Sequence, residues 1–167
     1  MKIAVTTDHT GLAYGGLFGE FKDFVQTLGH EVVDFGPKKL DMDDDYPDFM
    51  FPAARAVALG DCDYGIIMGG SGQGEAMAAN RIEGVRCTVF YGLAIAKEPI
   101  DAEGHMSDDP YEILRLSRQH NHANMLSLSA RFLSKNEMKQ AIEVWLSTPY
   151  SDAERHARRV HKLDKEI

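Results

Sequence analysis

The chain has 167 residues, 44% of them hydrophobic, which is enough for one domain with a buried core. Its formal net charge of −8 argues against nucleic acid or an anionic membrane as the main partner, so an anionic ligand would need a local cluster of basic residues. The first apolar run is too short for a signal peptide, and no stretch approaches the ~18 apolar residues of a membrane span. We therefore expect a cytoplasmic protein with a single domain over residues 1–167, in which Cys62 and Cys87 are ordinary thiols.

Short apolar runs and amphipathic segments alternate along the chain. The predicted strands are 2–6, 31–35, 64–68, 85–91 and 125–129, and the predicted helices are 12–28, 47–59, 75–81, 111–119, 135–146 and 152–166. This alternation indicates an α/β fold: a three-layer αβα Rossmann-like sandwich with a five-stranded parallel sheet and an extended C-terminal helix. The near-continuous apolar character of 85–91 suits a sheet that is buried on both faces.

The third predicted strand leads into a glycine-rich loop and then into a helix. The loop contains Gly69, Gly70, Gly72 and Gly74, with Ser71 inside it and Glu75 directly after it. Glycines let the backbone approach a ligand, and the first N–H groups of a helix are donors, so the loop predicts an oxyanion site. Glu75 excludes two familiar phosphate loops, because it stands where G-x-G-x-x-G needs its third glycine and where the P-loop needs its lysine. The alternative, a turn that only joins strand to helix, would not need so many glycines.

Two other loops deserve a function prediction. An acidic run carries Asp41, Asp43, Asp44 and Asp45. It could bind a metal ion, but it lacks the calcium-loop arrangement, so we expect a solvated loop and no metal.

Residues 92–107 have weak periodicity. They follow the carboxyl end of the fourth predicted strand, at the edge of the sheet where ligands bind. Long loops of this kind are more often lids or partner contacts than filler, and we predict a lid or an extended wall of the site.

Polar side chains follow three of the predicted strands. They are Asp8 and His9 after the first, Ser71 and Glu75 after the third, and Arg131 after the fifth. In a parallel sheet the carboxyl ends of the strands meet at one edge, where ligands bind. These side chains are therefore expected to form one site.

Five motifs, in this order and spacing, resemble ribose-5-phosphate isomerase B and its galactose-6-phosphate isomerase relatives. They are Asp8-His9-x-Gly11, Asp45-Tyr46-Pro47, Gly70-Ser71-Gly72-x-Gly74 with Ala78-Ala79-Asn80, Arg118-x-His120-Asn121-x-x-Asn124, and Arg131. The resemblance covers nearly the whole chain, although residues 92–107 look like an insertion that compact members lack. Many relatives have a catalytic cysteine where Gly69 stands here. The chain resembles instead the subgroup whose base is a glutamate at the position of Glu75.

The resemblance implies an isomerase that binds a small phosphorylated sugar and uses no metal or cofactor. The catalytic residues would be Glu75, His120, Ser71 and Asp8, with Glu75 as the base and His120 or Asp8 assisting the opening of the sugar ring. The substrate-binding residues would be Asp8, His9, Tyr46, Gly70, Ser71, Gly72, Gln73, Gly74, Asn121, Arg131, Arg155 and Arg159. In this set Asn121 would position hydroxyls, and His9 and the arginines would bind phosphate.

The chemistry of this reaction agrees with the loop. Aldose–ketose isomerisation removes a proton from the carbon beside a carbonyl and passes through an enediolate, whose oxyanion needs preorganised donors. Glu75 and the glycine loop could supply the base and the donors, so we predict interconversion of ribose 5-phosphate and ribulose 5-phosphate. The alternatives are an isomerase of a four- or six-carbon sugar phosphate and a phosphosugar-binding module without catalysis. The second is disfavoured because binding alone would not need Glu75.

Chain direction predicts a site shared between subunits. Each helix of a parallel sheet runs back to the amino edge, so His120 and Asn121 should lie away from Glu75 of the same chain, as should Arg155 and Arg159. We therefore predict a homodimer or a dimer of dimers in which the helix over 152–166 contacts the partner. A helix that ends short or bends, so that His120 reaches its own cleft, is the alternative. The two arginines, four residues apart, would form a phosphate clamp, unless the helix is only a solvated basic one.

Overall fold

The computed structural model describes residues 1–165, and in this part of the chain it has an all-parallel sheet of five strands with helices on both faces. The strands are β1 (Lys2–Thr7), β2 (Glu31–Asp34), β3 (Tyr64–Gly69), β4 (Cys87–Phe90) and β5 (Met125–Ser129). The helices are α1 (His9–Ala13), α2 (Leu17–Thr27), α3 (Pro47–Ala58), α4 (Gln73–Ala79), α5 (Glu112–Gln119), α6 (Lys135–Ser147) and α7 (Glu154–Leu163). The predicted α/β fold is confirmed. The predicted end of the last helix at Glu166 lies outside the described residues.

The strand order in the sheet is β2-β1-β3-β5-β4, so β5 lies between β3 and β4. Every residue of β5 is buried, whereas three of the four residues of β4 are only half-buried because β4 is an edge strand. Helices cover both faces of the sheet, as the apolar character of 85–91 suggested, but the half-buried residues of β4 reflect its position at the sheet edge. The apolar pattern is local, so it does not reveal the strand order, in which β5 lies between β3 and β4.

The helices form two layers on the sheet. Phe21 of α2, Leu114 of α5 and Trp145 of α6 pack on one face. Met50 of α3 and Ala79 of α4 pack on the other. Burying a large apolar side chain contributes about 1.5–3 kcal/mol, so the two layers together hold the strands in place. The site at the ends of the strands is built on this rigid frame.

The predicted helix over 12–28 is two helices, α1 and α2. They are separated at Gly15 and Gly16, whose φ angles of 59° and 81° are left-handed. Glycine adopts this conformation without a steric penalty, and it cannot continue a right-handed helix. The break allows α1 to start directly after β1, which places Asp8 and His9 at the sheet edge.

Buried Arg118 fixes the end of α5. Its guanidinium donates to the Thr148 carbonyl (3.1 Å), to the Tyr64 hydroxyl (2.7 Å) and to the Ala123 carbonyl, and it stacks on the Tyr64 ring at 4.4 Å from the centroid. A buried cation is stable only when its donors are satisfied in this way. The residue thus locks the segment that follows α5 against the start of β5.

Residues 92–107 contain neither helix nor strand. The two ends of the segment lie close together, since the Ala94 N–H donates to the Pro110 carbonyl at 3.2 Å. Among the helices of residues 1–165, none combines the length and the apolar character that crossing a membrane requires.

Candidate active site

The glycine loop between β3 and α4 is anchored through its carbonyl groups. The Ser129 hydroxyl donates to the Gly70 carbonyl at 2.8 Å, and the Ser127 hydroxyl donates to the Gly72 carbonyl at 2.7 Å. The Arg131 N–H also donates to the Gly70 carbonyl, at 3.1 Å. These bonds to β5 and Arg131 fix the loop, and the Gln73 N–H at the start of α4 donates to Ser71 Oγ at 3.3 Å. That the main-chain donors of the loop hold an oxyanion stays a prediction. The Ser71 side chain beside them is exposed.

The Glu75 side chain folds back over Gly69. It is 5% exposed. A Cβ at Gly69 would lie 2.6 Å from Glu75 Cγ and would overlap the carboxylate itself. A side chain at position 69 and the Glu75 carboxylate therefore compete for the same space. In this chain, glycine at the end of β3 leaves the space that the Glu75 carboxylate fills.

The surroundings of Glu75 make its carboxylate a stronger base. Burial raises its pKa, and the negative charge of Asp8 raises it further. Main-chain N–H groups of Glu75 and Gly72 and the charge of Arg131 oppose this shift, but the net direction is upward. One carboxylate oxygen, Oε2, is buried and has no hydrogen-bond partner among the described residues. A carboxylate with a raised pKa is suited to proton transfer near neutral pH.

Asp8 and His9 lie beside this carboxylate at the start of α1. Asp8 is 5% exposed and caps α1 by accepting the Thr10 N–H at 2.9 Å. The His9 ring donates from Nδ1 to Asp44 Oδ1 at 2.6 Å and lies 3.9 Å from Asp8 Oδ2. The hydrogen bond to Asp44 is the main cause that raises the pKa of His9, which favours the imidazolium form. A cationic His9 is suited to an anionic ligand.

The acidic run is only partly the solvated loop that we expected. Asp41, Asp43 and Asp45 are exposed, but the Asp44 side chain is 7% exposed and paired with His9. The ligand atoms of Asp8, His9 and Asp44 lie within 4.8 Å of one another, so these are the described residues that could hold a metal ion. The His9–Asp44 ion pair already joins two of them. That the site works without a metal ion stays a prediction.

Tyr46 and Arg131 complete the cleft. A Cβ at Gly74 would lie 3.0 Å from the Tyr46 ring, and one at Gly70 would lie 3.0 Å from the Arg131 guanidinium. Arg131 is exposed, and its Nε donates to the Tyr14 hydroxyl at 3.4 Å. Tyr14 was missed by the sequence interpretation, because nothing in its local pattern distinguishes it. We call this group the carboxyl-edge cleft: Asp8, His9, Tyr46, Gly70, Ser71, Gly72, Gln73, Gly74, Glu75 and Arg131.

The remaining predicted residues lie at the opposite edge of the sheet. His120 and Asn121 follow α5 and precede the start of β5, where the Gly65 N–H donates to the Asn124 carbonyl at 3.0 Å. β3 and β5 pair from Gly65↔Met125 to Gly69↔Ser129, a length of about 13 Å at ~3.3 Å per residue. The structure thus separates His120 from Glu75 of the same chain. The helix does not end short, since α5 continues to Gln119.

Arg155 and Arg159 lie on α7 near His120 and Asn121. Arg159 and Asn121 line a cavity of about 770 Å³ between α7, the segment after α5 and the edge strand β4. Lys162 adds positive charge to its wall, whereas Arg86 is paired there with Asp164 at 2.8 Å. Burial and the nearby Arg155 lower the pKa of His120, so its neutral form is favoured. We call this group the amino-edge cluster: His120, Asn121, Arg155 and Arg159.

Sequence comparison identifies the family of the chain. The profile of the ribose/galactose isomerase family matches residues 3–102 and 108–163. The chain belongs to the ribose/galactose isomerase family. The predicted family relationship is therefore confirmed. Residues 103–107 lie between the two matched stretches, within the segment predicted as an insertion.

Relatives in this family are similar over nearly their full length. The chain is 30% identical to ribose-5-phosphate isomerase B of Mycobacterium leprae, with 98% of this chain and 88% of that protein aligned. It is 35% identical to a probable ribose-5-phosphate isomerase B of Mycoplasma genitalium, with 96% and 92% aligned.

Solved structures of the family share the fold. Ribose-5-phosphate isomerase B from Clostridium thermocellum superposes with a TM-score of 0.82 at 34% identity, over 99% of this chain and 97% of that one. The Mycoplasma genitalium structure with bound ribulose-5-phosphate has a TM-score of 0.81 at 32% identity, over 99% and 95%.

Proposed function

We propose that this chain is an aldose–ketose isomerase that interconverts ribose 5-phosphate and ribulose 5-phosphate through an enediolate. The observation that carries the proposal is the buried Glu75 carboxylate, which lies over Gly69 beside a loop of main-chain donors. The names of the relatives, and the ribulose-5-phosphate bound in one of their structures, support this substrate. Such an enzyme belongs to the pentose phosphate pathway.

Glu75 acts as the base in this proposal. Its raised pKa lets the carboxylate take the proton from the carbon beside the carbonyl and return it to the neighbouring carbon. The main-chain N–H groups of the glycine loop hold the enediolate oxygen, and the exposed Ser71 hydroxyl lies next to them. Both parts are fixed by the fold before substrate binds. No metal or cofactor enters the reaction.

His120 opens the sugar ring. Ring opening needs a group that can exchange a proton near neutral pH, and the lowered pKa of His120 keeps its imidazole neutral. Asp8 is less suited to this step, because its carboxylate caps α1 through the Thr10 N–H. Asp8 instead lies beside Glu75 and raises its pKa.

The phosphate is bound by a local positive cluster. The chain as a whole carries a net charge of −8, so an anionic sugar phosphate must be attracted by particular side chains. In the carboxyl-edge cleft Arg131 provides this charge, and His9, whose cationic form is favoured by Asp44, offers its other ring nitrogen as a donor. Arg155 and Arg159 provide the positive charge in the amino-edge cluster, and a planar guanidinium suits bidentate phosphate binding.

We infer further that each active site is shared by two copies of the chain, in a homodimer or a dimer of dimers. The sheet keeps the carboxyl-edge cleft and the amino-edge cluster of one chain apart, so the two sets can serve one site only across an interface. The outer surface supports such an interface. Met77 is 65% exposed on α4, the helix that carries Glu75, and the adjacent edge strand β4 has an unpaired side in residues 1–165.

Subunit mixing tests the shared site. Glu75→Gln and His120→Ala proteins, each inactive alone, are mixed under conditions that exchange subunits. Random pairing makes half of the dimers hybrid, each with one intact site, so activity should return to about one quarter of that of the wild type. Exchange is verified with differently tagged subunits. No recovery despite exchange would place the whole site within one chain.

The substrate is tested with a panel of four-, five- and six-carbon aldose phosphates. Ribose 5-phosphate should give the highest kcat/KM. A preference for a four- or six-carbon sugar would reassign the substrate within the same chemistry. Binding of sugar phosphates without turnover would support the non-catalytic alternative and exclude an isomerase function.

Because a phosphorylated sugar does not cross membranes, we place this activity in the cytoplasm, which fractionation of cells would check.

A further inference from the structure

His156 is a buried histidine outside the motifs of the predicted site. It lies on α7 and is 5% exposed, unlike His161 on the same helix, which is exposed. The structure places the His156 ring against His120, with 4.0 Å between the ring centroids, and next to Arg155.

The polar atoms of His156 belong to one hydrogen-bond chain. Arg155 Nε donates to His156 Nε2 at 3.0 Å. His156 Nδ1 lies 3.1 Å from the Ser151 hydroxyl, which donates to the Gln119 carbonyl at 2.7 Å. The hydrogen-bond chain therefore runs from Arg155, a proposed phosphate ligand on α7, to the last residue of α5, directly before His120.

The hydrogen-bond chain fixes the protonation state of His156. A guanidinium has donors only, so His156 Nε2 must carry its lone pair. The Ser151 hydroxyl uses its proton on Gln119, so it accepts from His156 Nδ1–H. Both contacts are satisfied only by the neutral ring with its proton on Nδ1. A second proton, on Nε2, would point at the Arg155 N–H and break the contact.

We propose that neutral His156 is a positioning residue that orients Arg155 toward the substrate phosphate and fixes the adjacent His120 ring. With Nε held by His156, the terminal nitrogens of the Arg155 guanidinium stay available for two parallel hydrogen bonds to phosphate. The inference rests on the proposed function, because it gives Arg155 the role of phosphate ligand. His156 itself does not touch the reacting atoms.

The charges around His156 define its pH dependence. Arg155 and Arg159 face it from α7, and His120 faces it from the end of α5. Burial, followed by these groups, lowers the pKa of His156, so the neutral form persists to lower pH than for a free histidine. As the pH falls through this lowered pKa and His156 gains its second proton, Arg155 should lose its orientation and KM should rise.

Two substitutions separate orientation from packing. In His156→Gln the side-chain oxygen can accept the Arg155 N–H but cannot titrate. In His156→Phe the ring remains against His120 but the acceptor is lost. His161→Phe, at the exposed histidine of the same helix, is the matched control. KM and kcat for ribose 5-phosphate are measured from pH 5.5 to 8.5, together with the thermal midpoint of each variant.

His156→Phe should raise KM about tenfold at pH 7.5, as expected when a hydrogen bond to a charged group is lost, with a smaller change in kcat. His156→Gln should restore KM to within about twofold of the wild type and weaken the acid-side rise in KM. The substrate phosphate also titrates near pH ~6, but it does so equally for all variants. If the Phe variant does not fold, the acid-side profile of the Gln variant decides alone.

Three results would overturn the inference. They are equal KM values for the Phe variant and the His161→Phe control, a Gln variant as impaired as the Phe variant, and a loss of kcat at constant KM. Inorganic phosphate binding, measured by calorimetry, keeps the inference separate from the proposed function. If the wild type isomerises no sugar of the panel, the proposed function fails. Weaker phosphate binding by the Phe variant than by the Gln variant would still support the role of His156, and equal binding would reject it.

Discussion

The carboxyl-edge cleft and the amino-edge cluster differ in how firmly one chain fixes them. In the cleft, Glu75 and Asp8 are each 5% exposed, and hydroxyl groups of β5 anchor the glycine loop. In the cluster, Asn121 and Arg159 are exposed, and His120 and Arg155 are half-buried. Preorganised groups are needed where charge develops in a reaction, whereas exposed groups are free to meet another surface. The comparison supports our proposal that proton transfer takes place in the cleft, and that ring opening and part of the phosphate binding belong to the cluster.

The largest effect is expected from Glu75→Gln in the cleft. The variant keeps the shape of the side chain but removes the base, so kcat should fall by about 10²–10⁴-fold with KM nearly unchanged. Glu83→Gln, at an exposed carboxylate after α4, is the control and should retain activity. Steady-state kinetics with ribose 5-phosphate measures both. A wild-type kcat for purified Glu75→Gln would exclude the role of Glu75 as base.

Gly69→Ala tests whether the position of the base matters as much as its presence. The added methyl group would overlap the Glu75 carboxylate, which must then move. A displacement of about 1 Å can cost on the order of 10²-fold in rate, so kcat should fall by about that factor with Glu75 still in place. In the control Gly19→Ala, on α2, nothing lies within 4 Å of the new methyl group and activity should persist. Equal kcat values for the two variants would show that the carboxylate is not fixed over Gly69.

A change in the amino-edge cluster should act on binding instead. Arg159 lines the cavity with Asn121, whereas Arg158, also exposed on α7, is not among the lining residues. Arg159→Ala should raise KM about tenfold through the loss of a charge-assisted contact to phosphate, and Arg158→Ala should change KM by less than about twofold. Similar small effects from both would leave α7 as a solvated basic helix and remove the phosphate clamp.

A smaller effect is expected from the segment 92–107. Burial lowers the pKa of His120 and the negative charge of Asp101 opposes this shift, which places Asp101 of this segment on the side of the amino-edge cluster. We propose that the segment forms a wall of the shared site. In the test, a two-residue linker replaces residues 92–107. A change of a few fold in kcat, KM or sugar preference is expected. Unchanged kinetics on the whole sugar panel would indicate a purely structural segment.

The cleft could be predicted well from the sequence because its signals are local. The apolar strand, the glycines and the following helix are consecutive, so the position of Glu75 follows from the order of residues. The parallel sheet follows from the alternation of strands and helices. The same chain direction also predicted that His120 lies at the far edge.

The features that were missed depend on pairs that are distant in sequence or on the path of the chain. The His9–Asp44 ion pair joins residues 35 positions apart, so the acidic run gave no sign that one of its members is buried. The hydrogen-bond chain through His156 connects α7 to the end of α5, and the edge position of β4 depends on where β5 inserts. Local periodicity contains no information on these contacts.

The smallest effect is one of stability, and it distinguishes the buried base from the exposed groups of the cluster. The pKa of Glu75 is raised in the folded chain, so the fold favours its protonated form. In the wild type, this stabilisation is complete below the unfolded pKa of about 4.3, and it is lost as the pH rises through the higher folded pKa. Glutamine is neutral at every pH. Glu75→Gln should therefore match the wild type in acid and exceed its unfolding free energy at pH 7–8.

Urea denaturation of the wild type and Glu75→Gln from pH 4.5 to 8.5 measures this difference directly. Titrations of all other groups occur in both proteins, so to a first approximation they cancel in the difference between the two. Glu83→Gln, which removes an exposed carboxylate, should show no such pH-dependent gain. An increase in unfolding free energy that is constant with pH would indicate better packing of the glutamine rather than removal of an unfavourable buried charge. A loss of stability at pH 8 would contradict the raised pKa of Glu75 and, with it, the proposal that burial makes this carboxylate a stronger base for proton transfer.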